Sequence, residues 1–128
     1  LYEPEKLFRF ANKKLKRNGK ILAYTPNIRS LSTELMGSDH NALAIFDHVC
    51  FYSSNSLRYL AKQTGYEIES IDFYGLDIKD YLQMRESKDK IKYNAKLNEL
   101  LNLLQLIVDK SKISNHMRII FKKIGTLK

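Results

Sequence analysis

The hydrophobic positions at the start of the chain have helical spacing. Apolar side chains recur every three or four residues with lysines and arginines between them, which predicts an amphipathic helix over about residues 4–17. Its apolar positions are Leu7, Phe8, Ala11 and Leu15. Asn18-Gly19 is expected to end this helix. The continuous apolar run 21–24 then predicts a strand buried on both faces of a parallel sheet, which Pro26 ends because proline cannot donate to a strand ladder.

The central pattern predicts two more helices and a second strand. Residues 31–36 favour a short helix, and a loop of the kind found in active sites follows it. A serine at 53 or 54 can cap the next helix, which Gly65 closes. The run 66–73 predicts a strand whose alternation shifts phase near Ser70, which is typical of an outer strand or a bulge.

The last third of the chain predicts a long helix over about 92–110 and a strand around 117–121, after a short helix over 78–84 and a polar link over 86–92. The long helix carries leucines at alternating spacings of three and four residues. This stripe is expected to join the hydrophobic core, with a groove for a dimer or a partner helix as the alternative. Helices between strands of these kinds predict an α/β fold.

The composition is that of a globular domain. A chain of 128 residues, 44% of them hydrophobic and 28% charged, can form one domain or part of one. Its apolar runs fall short of the roughly 18 residues that cross a bilayer. With one cysteine and no signal-peptide pattern, the chain is expected in a reducing compartment, the cytoplasm. Because residue 1 is leucine, we expect that the chain was cut from a longer one.

The net charge of +8 raises the question of a polyanionic partner. Residues 1–30 hold eight basic and two acidic side chains, residues 31–80 hold three and eight, and residues 81–128 hold eleven and four. Lysine outnumbers arginine by 16 to 6, whereas grooves and phosphates are read largely by arginine. Nucleic acid is therefore not the favoured partner. The alternative is a basic module that contacts nucleic acid or a partner subunit through residues 9–20 and 110–128.

Several kinds of chemistry lack their usual residues. The five glycines stand far apart, so the chain offers no dinucleotide-binding or phosphate-binding loop. Its three histidines and one cysteine have no metal-ligand spacing, and no serine lies in a nucleophile-elbow sequence. Cys50 is expected to be a buried structural residue.

Three groups of short strings carry a family resemblance. The first group is Pro4-Glu5-Lys6-Leu7, Leu15-Lys16-Arg17-Asn18-Gly19-Lys20 and Ile21-Leu22-Ala23-Tyr24-Thr25-Pro26-Asn27. The second group is His48, Phe51-Tyr52-Ser53, Ser56-Leu57, Leu60 and Gly65-Tyr66-Glu67. The third group is Gly75-Leu76-Asp77 and Asn115-His116-Met117-Arg118-Ile119. In this order they resemble the class I S-adenosylmethionine-dependent methyltransferases, and the third group is similar to members that methylate surface polysaccharides and small metabolites.

This resemblance implies the C-terminal half of a Rossmann-like methyltransferase sheet, so that residues 1–128 are a single partial domain. The chain would supply about three strands, the last of them antiparallel between the other two, with flanking helices. S-adenosylmethionine is the implied cofactor, but the family's glycine-rich loop and its acidic partner would lie upstream of Leu1. The family's Leu-Lys-Pro-Gly-Gly is Leu-Lys-Arg-Asn-Gly here, which keeps the turn and loses the proline. A half-sheet of this kind predicts self-association through its exposed edge or through the 92–110 helix.

The resemblance also implies O- or N-methylation of a small-molecule or saccharide acceptor, with a loop histidine as the base. His48 is the first candidate and His40 the second, while hydrogen bonding within the loop is the alternative for His48. Asn27 lies just after a parallel strand, where open α/β sheets bind ligands, unless it only shapes the turn. Tyr24 and Tyr52 are candidates to line the acceptor pocket, although core packing is expected for Tyr24.

Overall fold

The structure, a computed structural model, describes residues 2–40, 50–90, 92 and 97–125. Five α-helices and three β-strands lie in these ranges. They are α1 (Pro4–Lys14), β1 (Lys20–Pro26), α2 (Leu31–Met36), α3 (Ser54–Gln63), β2 (Tyr66–Tyr74), α4 (Asp77–Asp89), α5 (Leu97–Lys110) and β3 (His116–Lys123). A 3-10 turn, Gly37–Asp39, follows α2. None of the described helices is long and apolar enough to cross a membrane.

The three strands form one sheet in the order β1-β3-β2. The central strand, β3, is antiparallel to both of its neighbours. β1 and β2 therefore run parallel to each other on either side of an antiparallel strand. This arrangement confirms the α/β class and the predicted position of the last strand.

β1 is an edge strand in this sheet, and the prediction that both of its faces are buried is wrong. Ile21 and Ala23 pack against the core, whereas Leu22 and Tyr24 on the opposite face are 56% and 59% exposed. The expected core packing of Tyr24 is therefore wrong as well. The strand also includes Pro26, which is tolerated because it occupies the last position of an edge strand.

β2 and β3 follow the predicted alternation. The register of β2 against β3 shifts between Ile68 and Ser70, so the predicted change of phase is an irregularity in an outer strand. In β3, the side chains of Met117, Ile119 and Phe121 are fully buried. These alternate residues form the contribution of the central strand to the core.

The apolar core lies between one face of the sheet and helices α1 and α3. Its buried members are Phe8, Leu57, Leu60, Ala61, Tyr66, Met117, Ile119 and Phe121. The ring of Phe8 meets the rings of Tyr66 and Phe121 edge-on, with centroids 5.6 and 4.8 Å apart. The Tyr66 hydroxyl also donates to the Phe8 carbonyl over 3.1 Å, so this aromatic group fixes α1 to the sheet.

The end of α1 is held by the end of β3. The helix stops at Lys14, before the predicted residue 17. The buried ammonium of Lys123 donates to the carbonyls of Asn12 and Leu15, 2.5 and 2.9 Å away, where the helix dipole favours a positive charge. The Asn12 side chain donates in turn to the Gly125 carbonyl over 2.9 Å.

The predicted helix boundaries hold at α2 and at the start of α3, and they fail at α4. Ser53 caps α3 in a capping box, in which its side chain and that of Ser56 each accept from the other's backbone N–H. α4 continues to Asp89, so most of the predicted polar link 86–92 is helical.

Helices α2, α4 and α5 pack together beyond the end of the sheet where β1 and β2 finish. α5 buries Val108, but most of the leucine stripe predicted to join the core is exposed. The exposed members are Leu100, Leu103, Leu104, Leu106 and Ile107. Hydrophobic spacing identifies residues that share one side of a helix, and here α5 turns a different side, with Gln105, toward the protein.

Candidate functional site

Buried polar side chains gather at the end of the sheet where β1 and β2 finish and β3 begins. They are Asn27, Ser30, Ser32, His40, Asp77, Ser114 and Asn115, each at most 3% exposed. Burial of polar groups is unfavourable unless hydrogen bonds replace their hydration. Because the carboxyl ends of parallel strands are where open α/β sheets bind ligands, this polar cluster is the candidate site.

Asp77, the first residue of α4, is the centre of the polar cluster and has no exposed surface. Its Oδ1 accepts from the backbone N–H of Ser32 at 3.1 Å and from the Ser32 hydroxyl at 2.6 Å. Its Oδ2 accepts from the Gln105 amide at 3.1 Å and from the Asn115 N–H at 3.0 Å. Asp77 therefore joins α2, α4, α5 and the start of β3, and its lone pairs are engaged in holding them together.

Asn115 crosses from the start of β3 to α4. Its amide donates to Asp80 over 3.0 Å, and its Oδ1 lies 2.8 Å from the Nδ1 of His116. Gly75 leaves the space for this side chain, because a Cβ at that position would lie 2.0 Å from the Asn115 Oδ1. The glycine between β2 and α4 is thus required by a close approach of two segments.

His40 and Asp80 are titratable neighbours within the polar cluster. Burial lowers the pKa of His40, although the Asp80 and Asp77 carboxylates act in the opposite direction. Burial raises the pKa of Asp80, with His40 and Asn115 opposing the shift. The Nδ1 of His40 lies 3.4 Å from the Thr33 hydroxyl, whereas its buried Nε2 has no hydrogen-bond partner among the described residues. A neutral imidazole with an unengaged nitrogen is the form that can take up a proton.

A polar cavity of about 330 Å³ opens beside Asp80, between the end of α2, the 3-10 turn and α4, and His40 lies outside its lining. Its lining is Met36, Asp39, Asp80, Gln83, Met84, Ser87 and Lys88. Asp80 stands in its wall, and an ion pair between Asp39 and Lys88 joins the turn to α4. Carboxylate, amide and hydroxyl groups in one concave surface suit a ligand that carries hydroxyl groups.

The structure brings two predicted site residues, His40 and Asn27, to the polar cluster. The Asn27 amide donates to the Ser114 carbonyl over 3.0 Å, and its Oδ1 accepts from the Arg29 N–H over 3.1 Å. These bonds are those of a residue that shapes the turn after β1. His48 lies outside the described residues, and its role stays a prediction.

Tyr24 and Tyr52 lie elsewhere, around a second cavity of about 280 Å³ along the free edge of β1. This cavity is lined mainly by apolar side chains of α1, β1 and α3. Burial, with a smaller contribution from half-buried Cys50, raises the pKa of Tyr52 to about 12, so the hydroxyl stays protonated. The Tyr52 carbonyl accepts from Ile28 N–H over 2.9 Å, which places this residue alongside the end of β1.

The sequence pattern assigns no role to Asp77, Asp80 or Asn115. Asp77 and Asn115 occur in strings that carry the family resemblance, and a spacing of three residues puts Asp77 and Asp80 on one side of a helix. The sequence therefore indicates that the Asp77 and Asp80 carboxylates lie on the same side of α4. Their meeting with Asn115 depends on β3 lying beside β2, which no local pattern shows.

The described residues form no metal site, and the apolar cavity beside β1 does not fit S-adenosylmethionine. No three or more His, Cys, Asp or Glu side chains within the described ranges form a group that could hold a metal ion. The ribose hydroxyls and the sulfonium of the cofactor need polar and acidic partners, whereas the cavity beside β1 is mostly apolar. No family model matches this chain, and no curated protein matches its sequence.

Proposed function

We propose that this chain is the acceptor side of an S-adenosylmethionine-dependent methyltransferase that acts on a hydroxyl or amine of a small molecule or saccharide. The observation that carries the proposal is buried His40 beside Asp80, with Asp80 in the wall of a polar cavity between the end of α2, the 3-10 turn and α4. The central antiparallel position of β3, which the resemblance implies, supports the same proposal. We place the cofactor's own binding loop outside residues 1–128.

The acceptor lies in the polar cavity in this proposal, where Gln83 and Ser87 provide hydrogen-bonding groups. Asp80 and not His40 lines the cavity, so in this proposal the proton that leaves the acceptor oxygen or nitrogen reaches the buried Nε2 of His40 through Asp80. Asp80 stabilises the imidazolium that results, as a carboxylate beside a histidine base does in other enzymes. Asn115 orients Asp80 through its 3.0 Å hydrogen bond.

Calorimetric titration of S-adenosylmethionine into two proteins tests the assignment. The first protein is the 128-residue chain, and the second is the chain extended by the residues encoded upstream of Leu1. We expect micromolar binding only by the extended chain. Micromolar binding by the 128-residue chain would overturn the placement of the cofactor site. Failure of the extended chain to bind, or absence of upstream coding sequence, would overturn the proposed function.

The base is tested by His40→Gln and His48→Ala in the extended enzyme. If His40 accepts the proton, His40→Gln lowers turnover roughly 10²-fold and leaves cofactor affinity unchanged. A comparable loss in His48→Ala alone would assign the base to His48, the first candidate from the sequence. Unchanged turnover in both variants would remove the histidines from the reaction.

A basic binding module has less support from the structure. Lys20 is paired with Glu69 at 2.6 Å, and Lys122 is paired with Glu67 at 3.2 Å. The ammonium of Lys123 is buried and engaged by helix carbonyls. Acidic side chains of β2 therefore neutralise part of the basic surface. Binding to a DNA duplex that weakened linearly with the logarithm of salt concentration would reverse this preference.

A further inference from the structure

Helix α5 carries an apolar seam on its outer side. Leu103 and Leu106 form the seam and are 59% and 53% exposed. Leu100 and Ile107 flank it on one side and are 51% and 61% exposed. Val108, on the inner side, makes the buried contact with the protein. Contiguous exposed aliphatic side chains of this kind mark an interaction surface.

Two opposite charges bracket the seam. Glu99, Leu103, Leu106 and Lys110 are separated by four, three and four residues, which places them along one side of a helix with about 3.6 residues per turn. Glu99 and Lys110 are both exposed. The order of spacings is the same read from either end. A second α5 turned end over end therefore sets leucine against leucine and Glu99 against Lys110 at both ends of the pair.

We propose that α5 pairs antiparallel with α5 of a second copy of this chain to form a symmetric dimer. Alternating spacings of three and four residues are those with which helices pack side by side in coiled coils. A parallel pair would set each charge against its own copy, and such like-charge contacts oppose association. The antiparallel pair turns the same two charges into attractive contacts.

The size of the seam sets the expected affinity. A helix of 14 residues is about 21 Å long. A contact between two such helices lies at the small end of specific interfaces, which gives a dissociation constant in the micromolar range rather than a permanent dimer. The free edge of β1, with exposed Leu22, is the competing surface for self-association. Lys20 is the one charged residue of that strand, so two copies of β1 would bring together no charges of opposite sign.

Sedimentation velocity of the 128-residue chain, from about 1 to about 300 µM, tests the dimer across the range where a small interface dissociates. We expect a monomer at the lowest concentration and a dimer at the highest. Leu103→Glu is expected to remain monomeric throughout. Leu22→Glu replaces an equally exposed leucine of β1 and is expected to dimerise like the wild type. Thermal unfolding followed by circular dichroism checks that both variants are folded.

Two results of that experiment would overturn the proposal. One is a wild-type chain that stays monomeric at every concentration. The other is a dimer that survives Leu103→Glu, whether or not Leu22→Glu abolishes it, because association would then use another surface such as the β1 edge.

Charge exchange tests the antiparallel direction. Glu99→Lys and Lys110→Glu each create two like-charge contacts in the symmetric dimer, and each is expected to raise the dissociation constant about tenfold. The double variant, with both changes, restores opposite charges and is expected to return to within about threefold of the wild type. A double variant as weak as the single ones would overturn the antiparallel pairing.

Discussion

The two sides of this molecule are held together by different forces. Between the sheet and helices α1 and α3, the buried groups are aromatic and aliphatic, with Phe121 in contact with Phe8 at the centre. Beyond the end of the sheet, α2, α4 and α5 meet around Asp77, which accepts hydrogen bonds from three segments. Hydrophobic contact is non-directional, whereas a buried carboxylate requires donors at defined positions. The polar side therefore requires its donors and acceptors at fixed positions, whereas the apolar side tolerates small shifts of its side chains.

The largest expected effect is on the apolar side. Phe121→Ala removes a fully buried ring from the centre of the core and should lower the free energy of unfolding by about 4 kcal/mol. Urea denaturation monitored by circular dichroism measures the change. A loss below about 1 kcal/mol would mean that the core collapses around the cavity and is less tightly packed than the structure shows.

The next effect is on the polar side. Asp77→Asn keeps the size of the side chain but replaces one carboxylate oxygen with an NH2 group. This NH2 group then faces donors that the carboxylate accepts from, so the free energy of unfolding should fall by about 3 kcal/mol. Asp72→Asn is the matched control, because Asp72 is an exposed carboxylate that pairs with Arg118. The control should leave the unfolding midpoint unchanged. Equal effects of the two variants would show that the polar cluster contributes no more than a surface ion pair.

A smaller effect is expected from a single methyl group. Gly75→Ala forces the Asn115 side chain away and should cost about 2 kcal/mol of stability, as overpacking of a buried site does. Gly125→Ala is the control, because a Cβ there has no heavy atom within 4 Å. Equal unfolding midpoints for the two variants would mean that Asn115 is free to move.

The smallest effect concerns pH. The pKa of His40 is lowered in the folded state, so the unfolded state binds its proton more readily, and stability should fall as the pH drops below about 6.5. The pKa of Asp80 is raised, so its protonation at lower pH, toward about 3.8, acts in the opposite direction. The His40 contribution is the part of this pH dependence that His40→Gln removes. Unfolding of wild type and His40→Gln at several pH values measures it, and equal slopes of stability against pH below about 6.5 would contradict it.

The apolar side of this comparison could be predicted from the sequence, and the polar side could not. Alternation at Met117, Ile119 and Phe121 reports directly which face of β3 is buried. A hydrogen-bonded cluster has no such period, because Asp77 and Asn115 are brought together by the order of strands. Single residues such as Asn27 and His40 could therefore be named as candidates, but their partners could not.

Two errors in the sequence predictions have one physical cause. The apolar run of β1 and the leucine stripe of α5 show how side chains are arranged within an element. They do not show what covers the element. The described residues cover one face of β1 and leave Leu103 and Leu106 of α5 in solvent. Both elements therefore carry apolar side chains that the described residues leave exposed. For α5, we propose that a second copy of the chain buries them.

The central position of β3 also affects how the chain is made. β3 follows both of its neighbours in sequence, and its pairing joins Lys20 to Lys122. During synthesis β1 and β2 emerge first, and neither finds its partner in the sheet until residues 116–123 leave the ribosome. Pairings between such distant residues also slow folding, because a long loop must close before any strand contact is gained. Nascent chains therefore expose one unpaired strand once β1 has emerged and two once β2 has emerged, and unpaired strands of this kind favour aggregation.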